Sequence, residues 1–216
     1  GDCNMILTQE QEMIRDSIRA YAQEQIAPYA AEWDKHSTFP RAALQGLAEL
    51  GVLGMVVPEE WDGTGLGYVE LGLALEEIAA ADGATSTIVS VQNSLACMIL
   101  MKYASDALKE TWLKPLARGE KLGCFCLTEP HVGSDASAIR TSATRDGNEW
   151  VLNGDKYYIS GAGDPRCKIM ITMVKTNDGP DVNRQQSQIL VPLPHPGVTI
   201  MGPMHVFGDP DAPHGH

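Results

Sequence analysis

Residues 124 to 140 of this 216-residue chain read CFCLTEPHVGSDASAIR. Thr128 brings a hydroxyl that can donate and accept at once, Glu129 a carboxylate, and Gly133-Ser134-Asp135 a short glycine turn. The preceding Cys124-Phe125-Cys126-Leu127 has the pattern of a strand. A strand that ends and turns frees backbone N–H groups from their ladder partners. Such groups can donate to the carbonyl and nitrogen atoms of a flat heterocycle. Gly133 lets backbone approach a ligand, and Ser134 adds a hydroxyl to exposed N–H groups, a pattern suited to phosphate. The same residues also make an ordinary strand followed by a turn in which Asp135 hydrogen-bonds its own backbone. On residue types alone the two readings stand side by side.

Composition narrows the classes. The formal net charge is −12, so the phosphate backbone of a nucleic acid would be repelled and no such partner is expected. An anionic cofactor stays compatible, because local backbone N–H groups can outweigh the global field. No apolar run looks long enough to span a bilayer, and no membrane partner is expected. Gly1-Asp2-Cys3-Asn4 lacks the basic and apolar segments of a secretory signal. The five cysteines, Cys3, Cys97, Cys124, Cys126 and Cys167, are odd in number and fit no disulfide framework. Reduced thiols in a cytosol-like compartment follow. Cys124 and Cys126 are placed on opposite faces of their strand, and no Cys-based metal or redox site is expected. His205, His214 and His216, near Asp209 and Asp211, read as a solvated loop rather than a metal site.

These residues need elements to position them, and the periodicity divides the chain near residue 120. The first part, 5–120, reads as an all-helical domain. Thr8-Gln9-Glu10-Gln11 has the form of a capping box, and Ile14, Ile18, Ala22 and Ile26 recur as an apolar stripe. Pro28 is expected to kink that helix late. Helices follow after Phe39-Pro40 up to Gly51, over 68–82, 84–103 and 106–118, with a glycine-rich loop at 57–67. The second part, 121–216, reads as a mostly antiparallel β-domain with strands at 122–127, 139–145, 149–154, 156–160, 168–175, 187–192 and 197–201. Asp146-Gly147 and Asn153-Gly154 carry turn signals. Gly208 to His216 is turn-forming, so the β-domain is expected to be incomplete. The fold class is α+β: a helical domain, then a truncated antiparallel barrel or sandwich. No Gly-x-Gly-x-x-Gly follows a strand, which gives no support for a nicotinamide site. The glycines of 63–67 lie between helices and do not suit a P-loop.

Four stretches, in order, resemble the acyl-CoA dehydrogenase family. They are Pro58-Glu59-Glu60-Trp61-Asp62-Gly63 with Gly65 and Gly67, and Trp112-Leu113 with Pro115-Leu116-Ala117 and Gly119-Glu120. Cys126-Leu127-Thr128-Glu129-Pro130 with Gly133-Ser134-Asp135 follows, then Asn153-Gly154-Asp155-Lys156-Tyr157-Tyr158-Ile159-Ser160. The resemblance implies α,β-dehydrogenation of an acyl-CoA thioester, FAD as cofactor, an electron-transfer flavoprotein as acceptor, and a homo-oligomer. It also implies a cytoplasmic location, or the mitochondrial matrix in a eukaryote. By position, Phe125, Leu127 and Thr128 would line the pyrimidine side of the flavin. Tyr158 would pack near the ring, Ile159 would follow on the same strand, and Ser160 would hydrogen-bond flavin N5. Gly133 and Ser134 would lie near phosphates of FAD or of the thioester's pantetheine, and Ile88 and Val91 would line the acyl cavity. Core packing on a strand also accounts for Tyr158 and Ile159, a turn hydroxyl for Ser160, and helix packing is the favoured reading of Ile88 and Val91. The family's glutamate base belongs to a C-terminal helical domain, and neither Glu129 nor Glu149 matches it. The chain alone is therefore expected to be inactive. The alternative is a non-catalytic scaffold or interaction module derived from the same fold.

Overall fold

The computed structural model describes residues 6–202, 204 and 214–215. Cys3, His205, His216 and the tail from Gly208 to Ala212 lie outside them, as does the side chain of His214. The chain forms two compact units, Gly1–Glu120 and Lys121–His216.

The first unit is helical. Helix α1 (Gln9–Gln25) starts on Thr8, whose hydroxyl accepts from Gln11 while the Gln11 side chain accepts from the Thr8 N–H. That capping box satisfies two otherwise orphaned donors. Ile18, Ala22 and Ile26 are buried, and they join one core with residues of α3 (Arg41–Glu49) and α4 (Tyr68–Ala81). Pro28 does not kink α1. The helix ends at Gln25, and α2 (Ala30–Lys35) begins after a turn. The pyrrolidine disfavours helical backbone just before it, which suits a break better than a bend.

Helix α5 (Gly83–Val91) runs through a π-helical stretch, Gln92–Cys97, into α6 (Met98–Tyr103). The whole is 21 residues long, so length and composition alone would let it cross a bilayer, contrary to the sequence reading. Several of its buried polar groups instead find partners in this unit, although among the described residues the Asn93 side-chain oxygen has none. Ser86 donates to the Leu75 carbonyl, Gln92 to Leu116, and Asn93 to Val52 and Val89. This is the pattern of a core helix. Helix α7 (Asp106–Leu108), a second π stretch (Lys109–Leu113) and α8 (Lys114–Ala117) close the unit.

The second unit is built on β5 (Cys167–Lys175), in which Cys167, Ile169, Ile171, Thr172 and Val174 are buried and the residues between them half-buried. Strand β1 (Leu122–Cys126) pairs with it in parallel, and β6 (Gln186–Pro192) in antiparallel register. Strands β2 (Ser142–Asp146) and β3 (Glu149–Asn153) form a hairpin, and β2 touches β5 in parallel at Ser142 and Lys175. A short β4 (Ile159–Ser160) pairs with β7 (His214–Gly215). The α+β class holds, and the sheet itself is mixed. Local alternation cannot distinguish a meander from a crossover, so the parallel β1–β5 ladder was invisible in the sequence.

Three strands differ from their expected spans, two of them for a local reason. The 139–145 run enters the ladder only at Ser142, because the N–H groups of Arg140 and Thr141 donate to the Glu129 carboxylate instead. The 156–160 run is cut to two residues, because Tyr158 has a left-handed φ of 55°. The 197–201 run is turn and coil. In the β2–β3 hairpin the two central residues are Gly147 and Asn148, not Asp146 and Gly147. Only Gly147 has positive φ, which fits a II′ turn.

One placement was wrong in principle. Residues two apart on a strand share a face. Cys124 and Cys126 are both buried, with Sγ atoms 3.8 Å apart, and they pack with Cys167 and Ile159. Thiol hydrogen bonds with Cys126 and Cys167, together with burial, push the Cys124 thiol well up, while Cys167 is lowered first by its bond with Cys124. Among the described residues no cluster could hold a metal ion.

Candidate functional site

After β1 the chain leaves the sheet at Leu127. Residues 129 to 132 then make a tight turn closed by reciprocal backbone bonds, Glu129 N–H to Val132 O (3.1 Å) and Val132 N–H to Glu129 O (3.0 Å). The Val132 side chain is buried beneath it. The Glu129 carboxylate is 3% exposed yet fully engaged. It accepts from Arg140 N–H (2.7 Å), Thr141 N–H (2.9 Å) and the Lys156 ammonium (2.9 Å). Burial alone would raise its pKa, but the Lys156 and Thr141 hydrogen bonds and the backbone N–H of Arg140 outweigh it and hold the group at about 2. His131 Nε2 lies 3.5 Å away on the outer side.

Thr128 is half-buried. Its carbonyl accepts from Tyr157 N–H at 2.8 Å, and among the described residues its hydroxyl and N–H make no hydrogen bond. Phe125 and Leu127 are also half-buried, on the face of the strand opposite the cysteines. Gly133 and Ser134 are exposed beyond the turn. A Cβ on Gly133 would meet nothing within 4 Å, so the chain itself does not demand glycine there and the space beside it is open. Asp135 behaves as the plain structural reading expects. Its carboxylate accepts from the N–H and hydroxyl of Ser137, capping a short 3-10 turn. Gln186 donates to the carbonyls of Ala136 and Ser137, fixing that turn against β6.

The second motif lies alongside the first. Gly154 has a φ of 155° and meets Thr141 so closely that an added Cβ would sit 2.5 Å from its hydroxyl. Lys156 reaches back to the Leu127 carbonyl at 3.0 Å as well as to Glu129. Tyr157 and Tyr158 contact edge-to-face with centroids 4.7 Å apart, and the Tyr158 ring is half exposed. A left-handed conformation is strongly disfavoured for an aromatic residue, and such strain gathers at functional sites. Ile159 is buried among the cysteines, whereas Ser160 is exposed.

The structure thus brings Leu127 and Thr128 next to the segment that carries Tyr158, Ile159 and Ser160. Ile88 and Val91 belong to the helical unit. Ile88 packs against the helical core, and Val91 is half-buried at the end of α5. The sequence reading missed the depth at which Glu129 is held, the strain at Tyr158 and the span of Lys156. A carboxylate in a strand-to-turn junction with a lysine 27 residues on is too common a pattern to have flagged them. A separate cavity of about 840 Å³ opens within the second unit, between Trp150 of β3, Met170 and Thr172 of β5, and Ile189 of β6. Of the predicted site residues it is lined by Ile159 alone, and among the described residues the Thr172 hydroxyl buried there has no hydrogen-bond partner.

Comparison with known proteins follows this division. Residues 8–120 match the family model of the acyl-CoA dehydrogenase N-terminal domain, and residues 124–216 that of the middle domain. The short-chain specific acyl-CoA dehydrogenase of Mus musculus mitochondria is 39% identical over 194 residues, 90% of this chain and 46% of that protein. A glutaryl-CoA dehydrogenase from Mycobacterium smegmatis, solved in complex with FADH2, superposes with a TM-score of 0.87 at 32% identity, over 99% of this chain and 53% of that one. A structure described as the electron transferring flavoprotein of Acidaminococcus fermentans gives 0.84 at 30% identity, over 93% and 53%. The chain spans about half the length of the curated relatives it matches.

Proposed function

The chain belongs to the acyl-CoA dehydrogenase family, and from that premise we propose that it supplies the helical and flavin-facing parts of an enzyme that introduces an α,β double bond into an acyl-CoA thioester. The observation that carries the reading is Thr128. Among the described residues its hydroxyl and N–H make no hydrogen bond, and Tyr157, bonded to its carbonyl, is followed by a strained, half-exposed aromatic, Tyr158.

FAD fits these residues. The backbone at Phe125, Leu127 and Thr128 and the Thr128 hydroxyl would hold the pyrimidine side of the ring. Tyr158 would cover part of it, and Ile159 anchors that segment in the core. The exposed Ser160 hydroxyl would meet flavin N5, and a donor there stabilises electron density that develops on transfer. The open ground at Gly133 and the Ser134 hydroxyl suit phosphate. Bound FAD would supply the hydride acceptor. Ile88 and Val91 would line the acyl cavity, with Ser134 near the pantetheine. Glu129 is not the base that removes the α-proton, because its oxygens are taken and its pKa of about 2 makes it a poor proton acceptor near neutral pH. An electron-transfer flavoprotein as acceptor, a homo-oligomer and a reducing compartment complete the proposal. The four buried free thiols favour the last.

The test is visible absorption of the purified chain after incubation with FAD and desalting. Retained flavin absorption is expected. A folded, colourless protein would overturn the cofactor assignment for this chain and favour the non-catalytic module. Acyl-CoA turnover by the chain alone is not expected, and its detection would place a base among these residues.

A further inference from the structure

Thr128 and Tyr158, the central parts of the cradle, lie just outside regular structure. Leu127 and Thr128 follow the end of β1, and Asp155 to Tyr158 precede β4. Beyond the packing of Ile159 on Cys124 and Cys126, what joins them is a short set of bonds centred on one side chain. The Lys156 ammonium donates to the Leu127 carbonyl (3.0 Å) and to Glu129 Oε1 (2.9 Å), with the lysine side chain 11% exposed. One residue on, Tyr157 N–H donates to the Thr128 carbonyl (2.8 Å). Glu129 is itself fixed from its far side by the N–H groups of Arg140 and Thr141. The ammonium is therefore a bridge between a backbone carbonyl next to Thr128 and an immobile carboxylate. Two residues beyond it stands Tyr158, in a conformation that the surroundings must impose.

Resting on the flavin reading above, we propose that Lys156 is the positioning residue of the cradle. Its ammonium locks segment 127–129 onto segment 156–160, and so fixes both the Thr128 donors and the Tyr158 ring where a planar ligand would meet them. Lys156 does not touch the ligand. It acts through Leu127, Glu129 and the backbone of Tyr157. Functional side chains need such support to hold their geometry.

The experiment compares the 216-residue chain with Lys156→Met, which keeps the stem and removes the donors, and Lys156→Arg, which keeps the charge. Two readouts are taken on each: amide exchange at Tyr157, and the FAD dissociation constant from flavin fluorescence. Lys156→Met is expected to lose at least ~10-fold of protection at Tyr157 and to weaken FAD by at least ~10-fold. Lys156→Arg is expected to recover part of both. Tyr157 protection and FAD affinity both within about twofold of wild type in Lys156→Met would overturn the proposal. Should Lys156→Met fail to fold, Glu129→Gln is read the same way, and wild-type values there overturn it. Wild-type chain that leaves FAD free would overturn the flavin reading, and exchange at Tyr157 would still decide the clamp.

Discussion

Glu77 in the helical unit and Glu129 in the β unit are both buried carboxylates in ion pairs, and the two pairs do different work. In the helical unit Glu77 takes a two-pronged grip from Arg19, at 2.7 and 2.9 Å. The arginine is half exposed, and the helices it joins already share Ile18, Ala22, Leu71, Ala74 and Ile78 in one apolar core. In the β unit Glu129 and Lys156 are both shielded, and the segments they join have no ladder between them. The first pair decorates packing that would persist without it. The second reinforces a small apolar contact, Ile159 on Cys124 and Cys126. A buried ion pair adds little where apolar contact already fixes the geometry, and much where loop meets loop.

That contrast can be broken in four places. The largest effect is expected from Lys156→Met, which strands the Glu129 charge in a buried site. Urea unfolding should show a loss of about 3–5 kcal/mol in the β unit. Equal stability would place the carboxylate's support wholly on the backbone N–H groups. Next comes acid. The folded pKa of Glu129 is about 2 against an ordinary 4.5, so its contribution is fully present above about 4.5 and is lost as pH falls toward 2. The amount is on the order of 3 kcal/mol. Glu129→Gln should flatten that part of the pH–stability curve, and an unchanged curve would assign the acid sensitivity elsewhere.

Thr128→Val should weaken FAD by roughly tenfold, one hydrogen bond's worth, while leaving the thermal midpoint near wild type. A drop in midpoint without a change in affinity would make Thr128 a structural residue. The smallest shift is expected from Glu77→Gln. Its thermal midpoint should move less than that of either change at the Glu129–Lys156 pair. A larger shift would invert the comparison.

How much of this was legible depended on whether the signal was local. The Thr8–Gln11 box, the Ile18–Ala22–Ile26 stripe and the β2–β3 hairpin are written in neighbouring residues, and each appears in the structure. The motif residues 127–134 and 156–160 were legible as a pair of segments. Their attachment was not, because Lys156 and Glu129 meet across 27 residues through a turn that no periodicity encodes. The parallel pairing of β1 with β5 was hidden for the same reason, since each strand alternates alike whichever way its partner runs. The left-handed Tyr158 could not be foreseen, because residue type argues against it. The shared face of Cys124 and Cys126 was legible from a period of two and was misassigned.

The cysteines divide between the units. Cys97 is sealed in the helical core, where burial drives its thiol up to about 12, and Cys124, Cys126 and Cys167 are sealed in the sheet. A covered thiol reacts only when its surroundings open. With Cys3 replaced by serine, timed alkylation followed by peptide mass spectrometry becomes a pair of clocks. One ticks at Cys97 and the other at the sheet thiols, and together they time the opening of the two units separately in a single sample.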